Sequence, residues 1–247
     1  MCTVTYLPQS EGQFLLTSNR DEAPHRSPEN LDRITFSGQE LLFPRDEGAG
    51  GTWIVASSNG TALCILNGAY SQHHHQPPYR RSRGLMALDY FSFANTAAFI
   101  RQYTFNGMEP FTMLVINQGS VTDLRWDETQ LHVNSLDPQR PHIWSSSTLY
   151  SPIAKRKRED WFASWLSVHP TYRREDILHW HRTAGDGDPE NDVVMNRGNL
   201  VRTVSITSIH RSPGGLSMAY HDLLRQQSKT AQLPIVHEAL AIEDNEH

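Results

Sequence analysis

Two short apolar and β-branched runs open the chain, residues 2–7 and 13–18, with Pro8-Gln9-Ser10-Glu11-Gly12 between them. That spacing predicts a β-hairpin with Cys2 at the very start of its first strand. Phe14, Leu15 and Leu16 are consecutive rather than alternating, which predicts a strand covered on both faces and so a sheet inside a layered fold. Residues 23–50 carry little periodicity and several breakers (Pro24, Pro28, Gly38, Pro44, Gly48). They read as a long surface excursion with short extended pieces at Ile34-Thr35-Phe36 and Glu40-Leu41-Leu42-Phe43. Gly50-Gly51-Thr52-Trp53 then opens a second hairpin, Trp53 to Ser57 and Thr61 to Leu66 about an Asn59-Gly60 turn, ended by Asn67-Gly68.

A polar loop rich in histidine and arginine, His73 to Arg83, leads into two helical patterns. Leu85, Leu88 and Phe91 share one face, and Asn95 is placed to cap a second helix through Ala97, Phe99 and Ile100. Strands follow at Phe111 to Ile116, Val121 to Trp126 (after a Gln118-Gly119 turn), Leu131 to Val133 and Ile143 to Ser145. A helix from about Pro152 to Val168 has proline in its first turn and a Trp161, Phe162, Trp165, Leu166 stripe that reads as core; another spans Arg174 to Arg182. Val201 to Ile209 and Leu216 to Tyr220 form a last hairpin. From about residue 225 the chain is polar and is expected to fray. Antiparallel strands interleaved with two helical blocks give an α+β fold, a four-layer α/β/β/α sandwich of two sheets, in one domain over 1–247.

Composition narrows the function classes. The 247 residues are 38% hydrophobic and 20% charged, with a net charge of -5 that gives no electrostatic case for nucleic acid. Cys2 and Cys64 do not make a disulfide framework, which fits a reducing, cytoplasmic setting. The start lacks a basic region and a long apolar core, so no signal peptide is expected, and no run approaches the ~20 apolar residues of a membrane span.

The chemistry candidates begin with Cys2. A cysteine thiol is mostly protonated near neutrality and needs a lowered pKa or an adjacent base to become a nucleophile. Removal of Met1 would leave Cys2 carrying its own base, an α-amino group with a reference pKa of about 7.7–8.0. Position alone leaves a second reading open, that of a small edge-strand residue. Asn19-Arg20-Asp21-Glu22 directly follows the buried-strand pattern, and buried charge is costly unless paired. An arginine beside the sulfur would stabilise a thiolate, and a carboxylate would orient the amine; the plain alternative is a strand ending in a solvated turn. Asn67 offers a side-chain amide for a developing oxyanion, a contact typically contributing ~3 kcal/mol, or is simply a turn residue.

Other clusters offer less. Consecutive His73-His74-His75 diverge in direction and lack a spaced carboxylate or cysteine. Asp186-Gly187-Asp188-Pro189-Glu190 lacks the glycine and glutamate of a calcium loop, where Asn191 and Arg197 stand instead. No metal or cofactor is therefore expected. Arg80, Arg81 and Arg83 are open to holding a substrate carboxylate or phosphate, or to standing in a solvated loop.

Cys directly after Met, Asn19-Arg20-Asp21-Glu22, Gly50-Gly51-Thr52-Trp53 and Arg202-Thr203, in that order, resemble the NRDE family, also called the transport and Golgi organisation 2 family, over about residues 2 to 220. The resemblance implies an N-terminal-nucleophile hydrolase-like fold akin to the penicillin and bile-salt acylases. It implies Cys2, Arg20, Asp21, Asn67 and Arg202 as catalytic residues, with Asn19, Glu22, Trp53 and Ser147 around the substrate. Two departures stand out. In the acylases the aspartate lies three residues beyond the arginine, whereas Asp21 is adjacent and, in a regular strand, points away from the face shared by Arg20 and Glu22. Near Trp144-Ser145-Ser146-Ser147, relatives carry an asparagine. The expected activity is hydrolysis of a C–N bond in a small or acylated amide. The alternatives are a carrier for a hydrophobic ligand (lipid, acyl-CoA or haem) on the same fold, and a glutaminase-like site that would lack its ammonia-accepting domain.

Overall fold

The computed structural model of the protein describes residues 3–117 and 119–236. Cys2, Gln118 of the expected turn and the acidic end of the chain lie outside the described residues. The opening hairpin forms from β1 (Thr3–Pro8) and β2 (Phe14–Glu22). It continues through β3 (Leu31–Phe36), β4 (Gln39–Pro44), β5 (Ile54–Ser57) and β6 (Ala62–Asn67) to two short helices, α1 (Arg83–Asp89) and α2 (Thr96–Gln102). Strands β7 (Phe111–Asn117), β8 (Ser120–Trp126), β9 (Leu131–Leu136) and β10 (His142–Ser145) precede helices α3 (Pro152–Val168) and α4 (Arg174–Thr183). The chain closes with β11 (Asn196–Arg197), β12 (Val201–Ser212), β13 (Gly215–Asp222) and β14 (Gln227–Leu233).

Helix starts follow local capping chemistry. Asn95 Oδ1 accepts from the Ala98 N–H at 2.9 Å, and Ser151 Oγ from the Ala154 N–H at 3.2 Å with Pro152 next to it.

The strands make two antiparallel sheets, one ordered β10-β1-β2-β12-β13-β14 with β11 added beside β12, the other β3-β4-β5-β6-β7-β8-β9. Three apolar layers fix the stacking. Val4, Leu16, Ile209 and Met218 of the first sheet meet Ile54, Cys64 and Leu114 of the second. The outer face of the second sheet packs Leu63, Phe111 and Val115 on Met86, Phe91 and Phe99 of the α1–α2 region. The outer face of the first packs Leu7 and Leu15 on Phe162, Ile177 and Trp180 of α3 and α4. Each such side chain, fully buried, contributes about 1.5–3 kcal/mol. The unbroken Phe14-Leu15-Leu16 run thus serves two layers, Leu15 turning to the helices and its neighbours to the other sheet. The result is the four-layer α/β/β/α sandwich.

Three local expectations are corrected. Residues 31–44 form the β3–β4 hairpin at the edge of the second sheet, with Leu41, Leu42 and Phe43 buried, rather than a surface excursion. The polar segment after residue 225 supplies β14, which pairs with β13 from Leu216↔Leu233 to Asp222↔Gln227. It is an edge strand with only Leu233 fully buried, so polar residues suffice for most of its length. Strand β2 runs on through Glu22, so Asn19, Arg20 and Asp21 are buried within a sheet, not in a solvated turn.

Candidate active site between the sheets

Strand alternation divides the Asn19-Arg20-Asp21-Glu22 signature between the two faces of the first sheet. Arg20 and Glu22 face the second sheet; Asn19 and Asp21 face the helices. Both sets lie near the chain start, because Thr3 pairs in register with Asn19 on one side and Ser145 on the other.

On the inter-sheet side, Arg20 and Glu22 line a cavity of about 320 Å³ together with Arg26, Asp46, Asn67, Arg83 and Glu109. Asp46 Oδ2 receives Arg20 and Arg26, each at 2.5 Å. Arg26 also reaches Glu22 at 2.9 Å, and Arg20 stands 3.7 Å from Glu22. Burial pulls the Arg20 guanidinium below its ordinary value, while Asp46 and Glu22 oppose that. For Asp46 burial works the other way, and the two arginines outweigh it, holding the carboxyl below the usual range. The Arg20 guanidinium lies on Trp53, 4.0 Å from the ring centre, a stacked cation with little solvent.

Gly51 explains the Gly-Gly-Thr-Trp motif. A Cβ there would come within 2.2 Å of the Gly84 carbonyl carbon, so only glycine lets the start of α1 approach the segment that carries Trp53 into β5. The contact is tied by Thr52 N–H donating to Gly84 O at 3.1 Å. It also places Arg83, the first residue of α1, on the cavity, where it pairs with Glu109 at 3.0 Å. Arg83 is therefore not a solvated loop residue. His73 Nε2 and His75 Nδ1 converge on the same Glu109 Oε1 at 3.1 and 3.2 Å, which fixes the histidine loop to the cavity wall. Among the described residues, no cluster of three or more His, Cys, Asp or Glu is arranged to hold a metal ion.

On the helix side, Asp21 accepts hydrogen bonds from the Tyr150 and Thr203 hydroxyls, the latter at 2.6 Å. Arg158, fully buried in α3, donates to Thr3 Oγ1 at 3.0 Å and lies 3.4 Å from the Tyr150 ring centre. Asn19 is fully buried and its amide is fully engaged: Nδ2 donates to the carbonyls of His181 and Val193, at 3.1 and 2.8 Å. Its Oδ1 therefore accepts from His181 Nδ1–H, which leaves His181 Nε2 to accept from the Thr5 hydroxyl at 2.8 Å. Burial, followed by the charge of Arg158, pulls His181 down to about 3, so the ring is neutral.

The expected site residues thus fall into groups. Arg20, Glu22 and Asn67 share the inter-sheet cavity, with Trp53 beneath Arg20. Asp21 and Asn19 lie on the opposite face. Arg202 is the cross-strand partner of Glu22, and its Nε is buried with no hydrogen-bond partner among the described residues. Ser147 lines a neighbouring cavity, donating its hydroxyl to Ala69 O at 3.0 Å, while its N–H reaches Asn67 O at 3.2 Å. Asp46, Arg26, Glu109 and Tyr150 have no counterpart in the sequence-based expectation. Asp46 carried a weak signal, one of two acids, with Glu47, before Gly48-Ala49-Gly50-Gly51; the others carried none.

The sequence model for Transport and Golgi organisation 2 matches residues 1–201. No curated protein matches the sequence. Among solved structures, a variant of the conjugated bile acid hydrolase from Clostridium perfringens is similar at a TM-score of 0.55 and 11% identity, covering 97% of this chain and 100% of its own. A second variant of that enzyme gives 0.52 at 10% identity, covering 98% and 100%. The Caenorhabditis elegans ortholog of N-acylethanolamine-hydrolyzing acid amidase gives 0.50 at 13%, covering 84% and 92%. At these identities the likeness establishes the N-terminal-nucleophile hydrolase fold.

Proposed function

The chain belongs to the Transport and Golgi organisation 2 family, and from that premise we propose that it is an N-terminal cysteine hydrolase cleaving the C–N bond of a small or acylated amide. The observation that carries this reading is the division of β2. The strand that pairs with Thr3, the residue after Cys2, presents Arg20 to one side and Asp21 to the other at that same sheet end. A cation for a thiolate and a carboxylate for an amine are the two groups that an N-terminal cysteine requires. Glu22 accepts from Arg26 and from the Ala23 N–H, at 2.9 and 3.0 Å, and Asp21 from the Tyr150 and Thr203 hydroxyls, so both carboxylates are candidates for the acid that meets the amine.

In the proposed reaction the α-amine of Cys2, freed by loss of Met1, takes the thiol proton. The sulfur then attacks the amide carbon, and the oxyanion is met by the Asn67 side chain. The C–N bond breaks, the leaving amine carries off that proton, and water hydrolyses the thioester to release the acid and restore the thiol. Arg202, across from Glu22, adds positive charge at the same sheet end. The names of the two similar enzymes, a conjugated bile acid hydrolase and an N-acylethanolamine-hydrolyzing amidase, agree in reaction class. The charged lining of the inter-sheet cavity suits a polar reacting group better than it suits an apolar guest, which weighs against the carrier reading.

The test is an intact-mass measurement on the purified protein before and after an electrophilic cysteine probe, with Cys2→Ala as control. Loss of Met1 and a single label absent from Cys2→Ala are expected. Full retention of Met1 in protein that still turns over an amide would sink the mechanism.

A further inference from the structure

Next to the inter-sheet cavity, at the start of α3, lies a second one of about 540 Å³ with a different electrostatic character. The first cavity matches three arginines with three carboxylates. The second is lined by two cations, Lys155 and Arg197, and among the described residues by no Asp or Glu. Both cations are held by neutral groups. Lys155 Nζ donates to Ser147 Oγ at 2.8 Å, using one of its three N–H bonds. Arg197 donates to the Glu190 and Leu149 carbonyls and to Asn191 Oδ1, at 3.1, 2.9 and 3.2 Å.

We infer that this cavity binds an oxyanion, a carboxylate or a phosphate, held between Lys155 and Arg197. Two cations in one concavity whose described lining carries no Asp or Glu leave it an uncompensated positive field, and in a partly water-excluded wall such a field is screened less than on an open surface. An oxyanion relieves it and accepts the unused ammonium donors in charge-assisted hydrogen bonds. Burial, then the charge of Arg125, pulls the Lys155 ammonium below its ordinary value, with Glu159 on the next turn opposing, and an anion seated beside it would oppose that shift further.

The cavity adjoins the sheet end already described. Tyr150 lines it and donates to Asp21, while Ser147 reaches both Lys155 and the Asn67 carbonyl. An oxyanion held there would be the acidic group of the amide substrate. That role rests on the reading given under Proposed function, whereas the binding itself needs no turnover.

The experiment measures lysine acetylation by acetic anhydride in the full chain, read by peptide mass spectrometry, with inorganic phosphate or glutarate against sodium chloride at equal ionic strength. At least one oxyanion should slow acetylation of Lys155 three-fold or more and saturably, leaving Lys157, exposed and paired with Asp186 at 2.7 Å, unchanged. Whichever arm protects identifies the group. Arg197→Gln should abolish the protection; protection that survives it, or equal Lys155 labelling in all arms, overturns the inference. Because Arg197 also ties three backbone and side-chain acceptors, Lys155→Gln serves as a second variant. It should weaken calorimetric binding of the protecting anion ten-fold or more, and unchanged affinity overturns the inference. Labelling of Cys2 in the same digests keeps the two readings apart: an unreactive Cys2 with protected Lys155 rejects only the catalytic reading, and the converse rejects only this one.

Discussion

The guanidinium of Arg20 lies 4.0 Å from the centre of the Trp53 ring, so the charged residue of the first sheet rests on the largest fully buried side chain, at the entry to β5 of the second. Trp53 is both core and the support on which Arg20, a cavity-lining residue, rests. Trp53→Ala is expected to cost about 3–5 kcal/mol in urea unfolding, and Trp53→Phe, which keeps an aromatic face, clearly less. Equal costs for the two would show that the ring under Arg20 is not what matters.

The pairing of Arg20 with Asp46 gives a second test. Asp46→Asn leaves two guanidiniums, one of them buried, without their shared carboxylate, and should destabilise the fold by about 3–5 kcal/mol. Combining it with Arg20→Leu removes the stranded charge, so the double variant is expected to be more stable than Asp46→Asn alone. A strictly additive double-mutant cycle would contradict the coupling.

Gly51→Ala drives a methyl group into the backbone at Gly84. Overpacking of this kind typically costs ~1–3 kcal/mol. The shift must move the start of α1, so hydrogen exchange of the Thr52 N–H, which is bonded to Gly84 O, should speed up. Unchanged exchange at Thr52 would mean the approach is looser than described.

His181 links stability to pH. Its folded-state pKa of about 3 lies below the ordinary 6.5, so the unfolded chain binds a proton that the folded one does not. The contribution is whole above pH 6.5 and is lost as pH falls from there towards 3, with a slope approaching ~1.4 kcal/mol per pH unit. His181→Gln should flatten that part of the stability profile. The ring itself should remain neutral and protonated at Nδ1 at pH 5 by ¹⁵N NMR; a charged imidazolium at that pH would refute the assignment.

Tyr150→Phe keeps the ring beneath Arg158 and deletes the hydroxyl that donates to Asp21 and also faces Arg158. A hydrogen bond to a charged group is worth about 1.5–3 kcal/mol, and a loss of that order in urea unfolding is expected. A neutral effect would place the Asp21 contact among the dispensable ones.

The layers were legible in the chain before any tertiary contact was known. Hydrophobic periodicity located the opening hairpin, the Asn59-Gly60 turn and the helices at Asn95 and Pro152, because period and capping are local properties that short-range sterics and hydrogen bonds enforce. It placed extended pieces at residues 34–36 and 40–43 but not their pairing, which is set across the sheet, and it missed β14, since that edge strand buries little beyond Leu233. It also gave the alternation that sends Arg20 and Asp21 to opposite faces, a consequence of the strand's two-residue period. Partnership came from packing. Asp46 reaches Arg20 across 26 residues, Tyr150 reaches Asp21 across 129 and His181 reaches Asn19 across 162. Apart from the glycines after Asp46, nothing near those residues in the chain marks them, because their roles arise from which sheet, helix or loop end packing brings against β2. The sequence named the charged strand, and the fold chose what each charge meets.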